Sequence, residues 1–281
     1  MPLVVPYVKL PQLRTFPRPT GLRQTHNTQQ HVSTGERYVY SEAEFRSAIG
    51  EVVAQFSSDA GKHSMPPGGD IVVAGTFTVS STIVIPQLAP RIRIRSIGGA
   101  VIVPAEPDQG TLFEVRSIFA RISDLFVFYK TDDDGNPTAW FNTFVEMVDG
   151  GPVGDYNVNP FGCHVVRNVF YGDRLYVDSS LGVADNAIIA ENFAGEEANA
   201  THGACVVIDS QRVVCSNNSL SDGGGDAITL SANAEHCIVS GNDCRLGDIT
   251  SSASVGNNVI SGNMRTGTIT RHITDAEGLN T

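Results

Sequence analysis

Four aspartates carry whatever hydrolytic chemistry this chain could perform. Asp222 and Asp226 flank a glycine-rich run, Ser221-Asp222-Gly223-Gly224-Gly225-Asp226-Ala227-Ile228-Thr229-Leu230. Asp243 and Asp248 follow 21 and 22 residues later, with the cation Arg245 between them. Two carboxylates held roughly 5–9.5 Å apart are what glycoside hydrolysis uses. The same composition also builds a turn, because Gly and Asp are what a sharp turn prefers. No Gly-Lys-Ser/Thr follows the glycines, so the run is not a phosphate loop. The turn is the favoured reading. The expectation is a chain without catalytic residues, with Asp222, Asp226, Asp243 and Asp248 as the candidates should it prove to be a polysaccharide-degrading enzyme.

The other reactive residue types are weaker. Asp132-x-Asp134-x-Asn136 resembles the opening of a calcium loop, but Pro137 stands where the sixth-position Gly belongs and Thr143 where the twelfth-position Glu belongs. An acidic solvated turn accounts for it better. The seven histidines form no HxH or HExxH pair, and the five cysteines (163, 205, 215, 237, 244) form no CxxC pair. No metal site and no cofactor is expected, and the cysteines read as reduced core or turn residues. Arg93 and Arg95 alternate with Ile92 and Ile94, which puts both arginines on one outer strand face. They could meet an acidic glycan or a neighbouring chain, or simply water.

A different kind of site lies at the start. Residues 1–35 hold Lys9, Arg14, Arg18 and Arg23 and no acid, so they carry +4, which leaves −15 on the remainder of a chain with net charge −11. Five prolines (2, 6, 11, 17, 19) keep this arm extended, and a polar stretch from Gln24 to His31 follows. The candidate partner-binding residues are Lys9, Arg14, Phe16, Arg18 and Arg23, docking on an acidic protein surface. Four bases without a run are too sparse for nucleic acid. No apolar stretch is long enough to span a bilayer, and Met1-Pro2-Leu3-Val4-Val5-Pro6 lacks the charged and apolar regions of a signal peptide.

The elements that must position these residues announce themselves by a recurring asparagine. Ile188-Ile189-Ala190-Glu191-Asn192, Val213-Val214-Cys215-Ser216-Asn217, Ile238-Val239-Ser240-Gly241-Asn242 and Val259-Ile260-Ser261-Gly262-Asn263 end alike, at steps of 25, 25 and 21 residues. Such a period with β-branched chemistry is the signature of a β-solenoid. Each coil buries its apolar side only by stacking on the next. Asn192, Asn217, Asn242 and Asn263 are therefore expected to stack along one edge and hydrogen-bond as a ladder. Few charged residues (17%) and 28 glycines suit many short strands and turns.

Upstream, Ser41-Glu42-Ala43-Glu44 is a capping box, and Phe45, Ala48, Ile49, Val52, Val53 and Phe56 follow at helical spacing. A helix from about Glu42 to Phe56 is predicted to cover the open end of the solenoid. Strands follow at Gly68–Val79, Thr82–Pro86, Ile92–Gly99, Ala100–Pro104, Leu112–Val115 and Ile122–Val127. Residues 129–161 break the rhythm and read as a projecting loop, with a smaller excursion at 193–203.

The helix, Gly68-Gly69-Asp70-Ile71-Val72-Val73, Thr82-Ile83-Val84-Ile85-Pro86 and Ile92-Arg93-Ile94-Arg95-Ser96-Ile97-Gly98-Gly99 together resemble the opening coils of pectate-lyase-like right-handed β-helices of the bacteriophage tailspike and virion-protein type. The resemblance covers about residues 41–128, with the Asn-ending coils at 165–272 as a second stretch. It implies an all-β chain. A basic anchoring arm (1–36) leads to a capping-helix segment (37–62), a single-stranded parallel β-helix (63–272) and a short tail (273–281). It implies a structural virion protein assembled in the host cytoplasm as a homotrimer. The short solenoid and the arm favour a capsid decoration or cement protein docked on the major capsid protein or another virion subunit through residues 1–35. A short tailspike or fibre binding a host surface glycan is the alternative, and a polysaccharide lyase or hydrolase a third. The Asp-rich and His-containing motifs of polygalacturonase-type hydrolases do not occur in their expected order, nor does the paired Asp cluster with a basic residue that pectate lyases carry.

Overall fold

A computed structural model describes residues 29–31, 35–59, 68–150, 152–153, 156–157, 159–172, 175–177, 184–196, 205–220, 225–244, 247–252, 256–265, 268–270 and 275–277. The chain winds through three strand directions per coil and returns to the first. Sheet A has eleven strands, from Gln29–His31 to Ala276–Glu277. Sheet B has eight, from Thr76–Val79 to Met264–Arg265. The third side is a three-stranded sheet (Ile83–Ile85, Gln109–Val115, Phe141–Met147) continued by a five-stranded one from Leu175–Val177 to Ile269–Thr270. Each strand of sheet A after Glu36–Val39 pairs in parallel with its counterpart one coil on. This is a single-stranded parallel β-helix, and crossovers between parallel strands are right-handed almost without exception.

The two-residue strand period sorts each coil into core and surface. Ile71, Ile94, Ile122, Val165, Ile189, Cys215, Val239 and Ile260 stand in register on sheet A and are all buried. Their neighbours at Arg93, Arg121, His164, Ile188, Val214, Ile238 and Val259 point outward. All five cysteines are free and buried. Burial pushes the Cys163 and Cys244 thiols up to about 12 and Cys237 to about 11, so they are inert packing groups.

The corner between sheets A and B explains the recurring asparagine. A left-handed residue turns the chain, and the residue after it points its amide inward. Arg167, Glu191, Asn217, Gly241 and Gly262 hold the left-handed position, with φ from 55° to 67°. Asn168, Asn192, Asn218, Asn242 and Asn263 follow them and are buried. The ladder therefore differs from the sequence expectation at one rung. Asn218 stacks, and Asn217 is an exposed corner residue. Each amide both donates and accepts. Asn192 Nδ2 donates to Val165 O (2.9 Å) and Asn218 Oδ1 (3.0 Å), while its Oδ1 accepts from Asn168 N and Nδ2, both at 3.0 Å.

The capping helix runs Glu42–Asp59, three residues past the predicted end. Ser41 Oγ accepts from Glu44 N at 3.3 Å, and the Glu44 carboxylate accepts from Tyr40 N at 2.5 Å. Phe45, Ala48, Ile49 and Val52 are buried against the first coils, where Phe45 meets Phe77 and Phe113 edge-on.

The excursion expected over 129–161 is narrower. Lys130–Thr131 and Pro137–Ala139 form one short antiparallel hairpin, and Pro152–Val153 and Tyr156–Asn157 form another. Between them Phe141–Met147 returns to the solenoid and pairs in parallel with Gln109–Val115. Phe141, Phe144, Val145 and Met147 are core residues.

Candidate functional site

The acids proposed for hydrolysis do not all converge. Asp226 and Asp248 are register partners on neighbouring strands of the third side. Asp243 lies on sheet B, beside Ser219 and Met264. Asp222 and Arg245 lie outside the described residues. The strand spacing of about 4.8 Å would suit a carboxylate pair, but both groups are engaged. Asp226 Oδ2 accepts from Thr250 Oγ1 (2.7 Å) and Thr229 Oγ1 (3.1 Å), and the two hydroxyls lie 3.3 Å apart. Asp248 Oδ1 accepts from the backbone N–H of Thr268 in the following coil. These are coil-to-coil staples. Asp226→Ala should lower stability by about 1.5–3 kcal/mol, the usual loss for hydrogen bonds to a charged group. The measurement is a thermal melt beside a polysaccharide depolymerisation assay. Cleavage by the parent protein that Asp226→Ala abolishes would overturn this.

The calcium-like segment is also a turn. Asp132 Oδ1 accepts from the backbone N–H of Asp134 (3.0 Å) and of Asn136 (2.8 Å). These hydrogen bonds, led by that from Asn136, hold the Asp132 carboxyl below the usual range. Lys9, Arg14, Phe16, Arg18 and Arg23 lie outside the described residues.

Two surface features were not legible beforehand. The first is an open cleft of about 400 Å³ at the corner leading into sheet A, lined by Gly68, Arg91, Arg93, Phe119, Arg121, Gly162 and His164. Arg93, Arg121 and His164 are register partners on three adjacent strands. Arg91, Phe119 and Gly162 sit two residues before them, all at left-handed φ (56°, 54° and 63°). The sequence does carry a signal for this: Arg91-Ile92-Arg93, Phe119-Ala120-Arg121 and Gly162-Cys163-His164 repeat one pattern, out, in, out. Arg95, the other arginine of that strand, pairs with Glu36.

The second is an aliphatic ridge on the far half of sheet A. Ile188, Val214, Ile238 and Val259 are register partners on successive coils. Ile238 and Val259 are 42% and 40% exposed. Beside them runs a low row of Ala190, Ser216, Ser240 and Ser261 in the same register, which would let another flat surface approach closely. On the outer face of sheet B, Phe128 stacks on Tyr171 at 4.8 Å, and Tyr171 packs against Phe193 at 5.5 Å.

These faces belong to a three-sided parallel β-helix with a capping helix at its first coils. No family model matches the chain, and no curated protein does. Among solved structures it is similar to an alginate lyase from Paenibacillus sp. strain FPU-7, at 16% identity and a TM-score of 0.47, over 86% of this chain and 97% of that one. It is also similar to ORF18 of Geobacillus virus E2 (14% identity, TM-score 0.37), over 85% of this chain and 56% of that one. A third likeness is to the Dettilon tailspike protein (12% identity, TM-score 0.45), over 84% of this chain and 43% of that one. None of these likenesses assigns an activity.

Proposed function

We propose that the chain is a structural component of a tailed-bacteriophage virion, a homotrimeric capsid decoration protein docked through residues 1–35. The observation that supports a structural role over an enzymatic one is the aliphatic ridge Ile188-Val214-Ile238-Val259. An exposed apolar row repeated on consecutive rigid coils is a surface to be covered, and further copies of the same chain are the occupants that a homotrimer supplies. The engaged hydrogen bonds of Asp226 and Asp248 point the same way. The virion class rests on the resemblance of residues 41–128 to phage β-helices, and the docking role on the +4 arm carried by an acidic body.

The test is the copy number and position of the chain in purified particles, by quantitative mass spectrometry and electron microscopy, with and without residues 1–35. Many copies spread over the capsid are expected, with incorporation lost on truncation while the circular dichroism spectrum of the β-helix persists. Docking of the intact protein should weaken at high salt, because exposed charges are screened. Full occupancy by the truncated protein would remove the arm as anchor. A few copies confined to the tail would favour the second reading, a short tailspike or fibre. The stacked outward aromatics Phe128, Tyr171 and Phe193 favour that reading, since rings of this kind offer faces to a sugar.

A further inference from the structure

We propose that the cleft at the corner leading into sheet A binds a saccharide through a carboxylate group, as carried by a uronic or sialic acid. The inference stands apart from where in a particle the chain resides.

The charges come first. Arg93 and Arg121 are directly opposite on neighbouring parallel strands, a placement in which like charges repel. Asp70 answers only one of them. Its two oxygens take Arg93 Nε at 2.6 Å and Nη2 at 2.8 Å. Arg91 and Arg121 form no ion pair with an acid among the described residues. Asp124 meets Arg121 only through its charge, because its carboxylate is taken by Arg167. Among the described residues the local surface therefore holds two guanidinium groups with no hydrogen-bonded acid, on a body that is otherwise strongly acidic. An anion seated between them would relieve the repulsion, and the guanidinium fork matches a planar carboxylate in two parallel hydrogen bonds.

The ring comes second. Phe119 occupies a left-handed corner, which costs a bulky side chain more than it costs Gly or Asn. Other coils place Asn186, Arg212, His236 and Asn257 at the equivalent turn. The corner is held by the N–H of Phe119 donating to Phe161 O at 2.8 Å. Room for the ring comes from Gly162, where a Cβ would lie 2.8 Å from Phe119 Cδ1 and Cε1. Arg91 lies over the ring at 5.9 Å and Phe161 meets it edge-on at 5.7 Å, yet Phe119 stays 40% exposed. The electron-rich face of an aromatic ring suits the C–H groups of a pyranose.

His164 completes the lining. Burial and the Arg121 charge hold its pKa below the ordinary value, so it is neutral at pH 7. It can then both donate to and accept from a sugar hydroxyl.

The test is titration calorimetry of the full chain against oligosaccharides of galacturonate and glucuronate and against sialyl-lactose, each beside its methyl ester. At least one acid form should bind, with its ester about tenfold weaker or more, the scale of a charge-assisted hydrogen bond. Arg91→Gln combined with Arg121→Gln should remove binding. Phe119→Asn, which suits the left-handed corner, should weaken binding severalfold while leaving the melting temperature unchanged or higher. No binding by any acid oligosaccharide would overturn the proposal, as would equal binding of the esters or undiminished binding by the double variant. Equal competition by inorganic phosphate or a hexa-aspartate peptide would overturn the saccharide assignment.

Discussion

Asn218→Ala should destabilise the solenoid on the order of 4 kcal/mol, whereas Asn217→Gly should change stability by no more than about 0.5 kcal/mol. Asn218 Nδ2 donates to Ile189 O (3.0 Å) and Asn242 Oδ1 (2.9 Å), and its Oδ1 accepts from Asn192 N and Nδ2, both at 3.0 Å. Alanine keeps none of these bonds. It also strands the Asn192 N–H, whose desolvation cost is then uncompensated. The loss falls on two coil interfaces at once, since each coil touches only its neighbours. Asn217 contributes a left-handed φ of 55°, which glycine adopts freely. Thermal melts of the two variants decide the register. A drop of roughly 10 °C is expected for Asn218→Ala alone. Equal drops, or the larger drop at position 217, would return the ladder to the register read from the sequence.

That single-rung difference marks where the sequence stopped being legible. The apolar pair and the corner asparagine were visible because a two-residue strand period and a left-handed turn leave residue-type signatures. At 241–242 and 262–263 the turn is Gly-Asn, and the roles are separate. At 217–218 both positions are Asn, so the pattern offers two registers one residue apart. The wrong one also exchanges Val213 and Val214 between core and surface. Val213 is fully buried and Val214 faces outward beside Ile188 and Ile238. The strand Phe141–Met147 was hidden for another reason. Thr143, Phe144 and Val145 are all buried, so alternation is lost, and Asp, Gly and Pro turn signals flank the strand on both sides.

The cleft was less legible than the fold. Arg93 was read correctly as outward-facing, but its neighbours come from coils of unequal length. Arg121 follows it by 28 residues and His164 follows Arg121 by 43, because that coil carries both hairpins. Spacing in sequence cannot align them. Asp248 does stand one coil on from Asp226, as expected, with a register irregularity between Asp226 and Ile228. Asp243 was grouped with them only because it is near in sequence; a corner turns it onto a different sheet.

The second large effect separates adjacent residues on one strand. Val239→Asp should prevent the protein from folding into soluble form, and Ile238→Asp should leave it folded while breaking the proposed trimer. Val239 is fully buried between Cys215 and Ile260. That line of the core holds Ile189, Cys215, Val239 and Ile260 in succession, with no cation in it among the described residues. A carboxylate there loses the transfer energy of valine, about 2 kcal/mol, and adds the several kcal/mol of an unpaired buried charge. Together these take a large part of the stability of an ordinary domain. Ile238 is the preceding residue and 42% exposed, so its aspartate is hydrated and the coil should hold. In a trimer that buries the ridge, three such carboxylates would be desolvated close together, and like charges disfavour that strongly. Sedimentation of Ile238→Asp should therefore give a monomer with the parent circular dichroism spectrum. A trimer that survives Ile238→Asp would move self-association to another face, with the outward aromatics of sheet B next to be tested. Soluble, fully cooperative folding of Val239→Asp would refute the buried register of sheet A itself.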